Sequence, residues 1–414
     1  MSKVIYYNAV LINIILIYRN SWLPGSRLIM GPIEIAIIDF LFFFSLILYF
    51  NLNKVMNTGI KIRNFDYLLL ISIGILTLYS TIVYNIQELT NLYFLLRFVG
   101  YFAVLSQFFF FLPSFFSNYP NYFIKYLKFI SYFGFYSALI GIIMYYLNIF
   151  PYSKFSYMLI SILTHPNNAS VIFTLSIITT VYLYYYEKPK VSRIKEYFYI
   201  FSIFLQIFSQ LLTLTRAGMI GTFLGLAIFG IVVLKKKALF IYPIFSILIP
   251  FFVWGFVESK GFSSFVSRFY LLVPAYHMLI DSTKSMLWGY GFTNSLAVYQ
   301  KYRIEYNVLE ENIEDPHNAV VMLMLMVGVV IALLIIFFVG RLLIKSTIEI
   351  FREKDKDRQL MLGYMVSFLI SIILHCLFDS SLVRLEYIAM GYFLAILGTL
   401  WKLTGEKIKL NVIN

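Results

Sequence analysis

From Ile241 to Val257 the chain runs for seventeen residues without a charge. It also lacks the alternation of apolar and polar residues that a membrane-spanning strand would show. Comparable stretches, bounded by charged residues, lie at about 4–18, 30–50, 65–84, 92–112, 129–147, 166–186, 197–214, 218–234, 238–257, 319–338, 360–377 and 387–401. A helix rising about 1.5 Å per residue needs about 20 such residues to cross a bilayer. The sequence therefore predicts an all-α fold: a polytopic transmembrane bundle of about twelve helices, with residues 1–414 forming a single integral membrane domain. Composition closes off the water-soluble alternative. Only 13% of residues are charged and 61% are hydrophobic, whereas a soluble domain carries about a quarter of its residues as charges.

The first helix, Val4 to Tyr18, follows Lys3, and no small-x-small cleavage site occurs in Arg19–Arg27. It is expected to be retained as a helix or signal anchor. The single cysteine, Cys376, lies in an apolar stretch, which excludes an intrachain disulfide and the metal sites built from several thiolates.

The formal charge of +13 has its meaning in its distribution. If the helices simply alternate, 22 of the 33 lysines and arginines fall in the loops and tails of one side. Positive charge marks the cytoplasmic side, so both termini are expected in the cytoplasm, and the high pI needs no nucleic acid to explain it. On the other side one connection stands out. Residues 258–318, between the ninth and tenth helices, form a 61-residue extracytoplasmic loop with five basic and seven acidic residues. A structureless connection of that length is unusual. Its first half, Phe265 to Ile280, has apolar residues at helical spacing with Arg268, Tyr276 and His277 interspersed, the pattern of an interfacial amphipathic helix.

Ionisable groups in or near a membrane are costly and mark function by default. On the predicted outer side they are Arg97, His165, Arg216, Arg268, His317 and Arg384, a set suited to binding an anion. Asp315-Pro316-His317-Asn318 opens the tenth helix, with Asp315 as the expected N-cap and Pro316 at the first helical position. His317 in the first turn would then be kept neutral by the helix dipole and able to accept a proton. His165-Pro166-Asn167 opens the sixth helix in the same way. Thr215-Arg216-Ala217-Gly218 leaves almost no loop between the seventh and eighth helices, so Arg216 sits at the rim of the bundle. Its planar fork of donors matches a phosphate bidentately. Trp288-Gly289-Tyr290-Gly291-Phe292 has two glycines but follows no strand and lacks a third, and no Walker sequence occurs. Glu34 and Asp39, five apart in the second helix, do not stack on one face as metal ligands would. Chemistry on an anionic substrate with no metal and no cofactor is the expectation.

In order along the chain, His165-Pro166-Asn167, Thr215-Arg216-Ala217-Gly218, Arg268, Trp288-Gly289-Tyr290-Gly291-Phe292, His317-Asn318 and Gly328 resemble the O-antigen ligase and polymerase superfamily of membrane glycosyltransferases. The likeness spans about 160–340; Thr215 stands where that family often has serine. The resemblance implies transfer of a glycan from a polyprenyl-diphosphate (undecaprenyl-type) donor to a glycan acceptor hydroxyl, on the outer face of a bacterial cytoplasmic membrane. The acceptor is a second lipid-linked glycan in a polymerase and a lipid core sugar in a ligase. It further implies His317, Arg216 and Arg268 as catalytic residues, with His165, Asn167, Asn318, Arg97 and Arg384 binding substrate. The partners implied are the donor, the acceptor, the bilayer and envelope-polysaccharide assembly proteins, with no nucleic acid. A polymerase of surface polysaccharide is the favoured member. A flippase for lipid-linked oligosaccharides is the rival from another class, and a structural or sensor membrane protein is a third reading.

The topology can be tested directly. In a Cys376→Ser background, single cysteines replacing Lys284 and Glu310 are expected to react with an impermeant maleimide added to whole cells, and those replacing Lys236 and Lys354 only after lysis. The reverse labelling would place the histidine and arginine set in the cytoplasm.

Overall fold

A computed structural model of the chain describes residues 2–19, 105–149, 165–235, 268–291, 294–306, 315–379 and 388–405, with a few isolated positions between them. The expected spans 30–50 and 238–257, all of 65–84 but residue 72, and 92–104 of the span 92–112 lie outside the described residues. The regular structure among the described residues is helical. It comprises α1 (Ser2–Arg19), α2 (Leu112–Asn118, entered through a π-helical turn), α3 (Pro120–Tyr146), α4 (Pro166–Glu187), α5 (Arg193–Leu212) and α6 (Arg216–Leu234). There follow three short helices, α7 (Leu272–Ile280), α8 (Thr283–Trp288) and α9 (Ser295–Glu305). The chain closes with α10 (Ala319–Val327), α11 (Val329–Arg352), α12 (Lys356–Cys376) and α13 (Ile388–Gly405). Five of these, α3, α4, α6, α11 and α12, are long and apolar enough to cross a membrane.

The order of the bundle follows from side-chain size and polarity. α4 and α12 are the inner helices: 78% and 72% of their apolar windows are buried, against 28% for α11. α4 carries small hydroxyl residues where lipid-facing helices carry bulky ones, and each reaches a different neighbour. Thr180 Oγ1 lies 2.7 Å from Ser131 Oγ of α3. Gln210 of α5 donates to Ser170 Oγ at 2.7 Å. Thr222 of α6 donates to Thr174 Oγ1 at 2.9 Å, and Thr179 Oγ1 lies 3.0 Å from the Tyr364 hydroxyl of α12. Where lipid tails are as apolar as leucine, close packing and such hydrogen bonds drive association, at about 0.6 kcal/mol for an average bond.

α6 and α12 run antiparallel in the most extensive helix contact of the described residues. Ser371 Oγ donates to the Gly221 carbonyl, and a Cβ on Gly221 would stand 2.7 Å from the Ser371 carbonyl oxygen. Only glycine allows that approach.

One end of the bundle is strongly basic. There buried Glu187 accepts from Lys128 at 2.5 Å, Lys195 at 2.7 Å and Tyr199 at 2.7 Å, joining α3, α4 and α5. Arg358 likewise joins three helices, meeting Glu349 at 2.6 Å and the Leu403 carbonyl at 3.0 Å.

The expected span 319–338 is two helices, broken at Gly328 (φ 82°), and the second continues to Arg352. A helix that ends among apolar side chains leaves carbonyls without partners. Here Tyr290 N donates to Leu325 O at 2.7 Å and Gly291 N to Met326 O at 2.9 Å. A Cβ on Gly328 would come 2.0 Å from Leu287 O, and one on Gly289 would come 2.6 Å from Gly328 N. The glycines of Trp288–Gly291 therefore let two backbones touch. α7, α8, α9 and α10, with the start of α11, enclose a second apolar core around Met278, Tyr299, Met322 and Leu325.

Overpacking a closely fitted contact costs about 1–3 kcal/mol. Gly221→Val is expected to lower the unfolding midpoint in detergent by several degrees, read by scanning fluorimetry, while Ile220→Val on the exposed face leaves it unchanged.

Candidate functional site

At the end of the bundle opposite the basic one, α4 and α6 begin and α12 finishes. The turn Leu377-Phe378-Asp379 that follows α12 collects side chains from three distant segments. Arg268 donates to Phe378 O at 2.7 Å. Asn318 Nδ2 donates to Leu377 O at 2.9 Å, and Asn167 Nδ2 donates to Asp379 Oδ2 at 2.8 Å. Three of the residues singled out in the sequence thus converge on one turn, although Asn167 and Asp379 are 212 positions apart.

Each is held by a local device. His165 is the N-cap of α4, with extended backbone, and its Nδ1 accepts from Asn167 N at 3.1 Å; Pro166 takes the first helical position. Capping occupies that ring nitrogen and sets the direction in which Asn167 points. Asn318 is the N-cap of α10, its Oδ1 accepting from Val320 N and Val321 N, which leaves the amide nitrogen for Leu377. Arg216 is the first residue of α6, after a tight turn in which Leu214 has φ 53° and the Thr213 and Thr215 hydroxyls lie 2.8 Å apart. The near absence of a loop there agrees with the sequence reading.

His317 corrects one expectation. The helix starts at Ala319 with Asn318 as cap, so His317 precedes it, outside the first turn, and the dipole argument for its neutrality does not apply. Its backbone is left-handed, φ 48°, a conformation that costs a side-chain-bearing residue about 1–2 kcal/mol. Asp315 holds it there by accepting from His317 N at 2.7 Å. The same carboxylate oxygen lies 3.6 Å from His317 Nδ1, and Asp315 is only 3% exposed. At that separation the carboxylate lies beside the imidazole without a hydrogen bond to Nδ1.

Two residues at this end are absent from the set drawn from the sequence. Asp379 receives Asn167, and His375, fully buried one turn earlier, stands within electrostatic range of Asp379 and Arg268. Neither ring nitrogen of His375 has a hydrogen-bond partner among the described residues. Both could have been found by asking which ionisable residues end an apolar helix. Arg97 and Arg384 lie outside the described residues. Among the described residues, no group of three or more histidine, cysteine, aspartate or glutamate side chains is gathered in a way that could hold a metal. The arrangement offers a guanidinium, amide donors and an imidazole backed by a carboxylate, which suits binding an anionic group and removing a proton from a hydroxyl.

No family model, curated protein or solved structure matches the chain, so the functional reading rests on these residues and on the motif resemblance.

If the left-handed backbone at 317 is held by its surroundings, His317→Gly removes the imidazole and relieves the strain together. The variant is expected to melt at or above the wild-type temperature while losing the activity tested below. A lower melting temperature would mean that the ring is there for packing.

Proposed function

We propose that this protein is a polymerase of surface polysaccharide in the bacterial cytoplasmic membrane. On this reading it has about twelve spanning helices, cytoplasmic termini and an extracytoplasmic site, with 258–318 as the large outer loop. The observation that carries the proposal is the meeting of Arg268, Asn318 and Asn167 at the turn after α12, with Arg216 beginning a helix at the same end and His317 beside Asn318.

In the proposed reaction the acceptor hydroxyl oxygen attacks the anomeric carbon of a glycan carried on polyprenyl diphosphate. Its proton passes to Nε2 of His317 as the carbon–oxygen bond to the diphosphate breaks. The departing diphosphate carries the negative charge that develops, and Arg216 and Arg268 face it with fork-shaped donors. Arg268 is anchored at this end by its bond to Phe378 O. The activated linkage supplies the energy. A ligase would use the same donor-side residues with a different acceptor.

The flippase alternative also has an observation to weigh. Broken helices such as α10–α11 are how transporters expose backbone to cargo. In this chain the freed carbonyls of Leu325 and Met326 are taken by Tyr290 and Gly291, which favours the transferase.

The experiment is an assay of purified protein in lipid vesicles with a polyprenyl-diphosphate-linked repeat unit, EDTA and no nucleotide. A ladder of glycan lengths is expected, abolished by His317→Ala and reduced at least about a hundredfold by Arg216→Lys, which keeps the charge and loses the fork. A single addition to a lipid core sugar would identify a ligase. Movement of the labelled lipid across the membrane without product would establish the flippase.

A further inference from the structure

α7 and α9 pack against each other, and four rings from the two helices form one continuous array. His277 of α7 stacks on Tyr306, the residue that caps the end of α9, with ring centroids 4.1 Å apart and planes 13° from parallel. Tyr276 meets His277 edge-on at 5.6 Å, and Tyr302 continues the stack beyond Tyr306 at 6.4 Å and 12°. The array is not core: Tyr276 is 59% exposed and Tyr306 37%. It is nevertheless held rigidly. Buried Tyr299 of α9 donates to Leu271 O at 2.9 Å, and Tyr290 donates to Met278 O at 3.0 Å, so α7 is tied near both of its ends.

The chemistry of the array suits a partner that is both apolar and polar. Each ring carries a polar atom at its rim, a tyrosine hydroxyl or an imidazole nitrogen. α9 has Lys301, Arg303 and Glu305 among its last five residues, and Lys301 and Glu305 are exposed. Such a helix end lies in water, because lipid tails would make those charges costly. A sugar ring has the complementary build, a face of C–H bonds bordered by hydroxyls. Tyrosine meets it with a large, rigid, amphipathic surface at little cost in side-chain entropy.

We infer that Tyr276, His277 and Tyr306 form a glycan subsite, on which a sugar ring of an oligosaccharide lies. The inference rests on the polymerase reading for the class of its ligand, and it gives that reading a place for sugars remote from the bond being made. The distance fits such a role. From Arg268 to Ile280 the chain is helical apart from a turn at Leu271, and at about 1.5 Å per residue Tyr276 stands about 12 Å along it from Arg268. Arg268 is anchored at the turn after α12, where the proposed reaction places the diphosphate. A glycan of several linked rings leaving that point along α7 reaches the array, whereas a single sugar falls short. A contact so far from the reacting atoms is the same in the ground state and the transition state, so it acts on KM and leaves kcat alone. The fixed spacing of α7 and α9 means that little ordering is left for the ligand to impose.

The test uses full-length protein with two probes. One is the polyprenyl-diphosphate-linked repeat unit in the vesicle assay; the other is a short oligosaccharide of the same repeat, without lipid or phosphate, observed by saturation-transfer NMR with protein in detergent micelles. Replacing Tyr276 and Tyr306 together by alanine is expected to raise KM about tenfold with kcat unchanged, and to weaken transfer to the free oligosaccharide by a similar factor. Tyr276→Leu with Tyr306→Leu, which keeps the apolar volume and removes the ring faces, is expected to match the alanine pair, and Tyr306→Trp to bind as the parent does. Each comparison is made between proteins whose melting and size-exclusion profiles match the parent. Parental KM and parental NMR transfer in the leucine pair would assign the rings to packing or lipid contact and overturn the subsite, while the ladder from the parent protein leaves the polymerase reading standing. If the parent makes no ladder, that reading fails and the NMR decides alone: saturable transfer that depends on the two rings supports the subsite, and absence of transfer overturns it.

Discussion

The structure depends on how α4 is wired to its neighbours. A helix surrounded by other helices in an apolar medium gains nothing from excluding water, because the water is already gone. What remains is close contact and the pairing of polar atoms that would otherwise be stranded at a cost of several kcal/mol. Ser170, Thr174, Thr179 and Thr180 serve both ends at once: they are small enough to let four helices approach, and each finds a partner on one of them. The arrangement of α3, α5, α6 and α12 around α4 follows from which hydroxyl faces which helix.

The two ends of the bundle use polarity differently. At the basic end, Glu187 and Arg358 each bind partners on two other helices and act as rivets. At the other end the polar side chains are held mostly through backbone groups: Arg268 and Asn318 by carbonyls of one turn, His317 by the Asp315 carboxylate at its N–H. The left-handed backbone of His317 lies at this second end, a conformation that its surroundings must hold.

The break at Gly328 links these ideas. Ending a helix among apolar side chains requires new donors for its last carbonyls, and the segment Trp288–Gly291 supplies them from the backbone. A pair of glycines that reads in the sequence as a weak nucleotide-loop echo is a device for backbone contact, and it ties the three short helices to the bundle.

The sequence by itself determined the helical class and several helix starts within the described residues, because uncharged length and proline or asparagine at helix starts are local signals. Pro166 and the near-absent loop before Arg216 are of this kind. It also marked His165, Asn167, Arg216, Arg268, His317 and Asn318 as residues needing explanation, since ionisable and amide groups at the edge of an apolar span are costly. It misplaced the cap of the tenth helix by three residues, because Asp315 and Asn318 are both good caps and only the φ of His317 shows which one the chain uses. Which residues meet was decided by tertiary structure alone. Asp379 reads as a polar residue after a helix until α12 is packed antiparallel to α4, and His375 reads as a lone core histidine until Asp379 and Arg268 are brought within electrostatic range of it. The physical reason is that a helix start or an apolar run is encoded over a few neighbouring residues, whereas a contact across 212 positions depends on the packing of every helix between them.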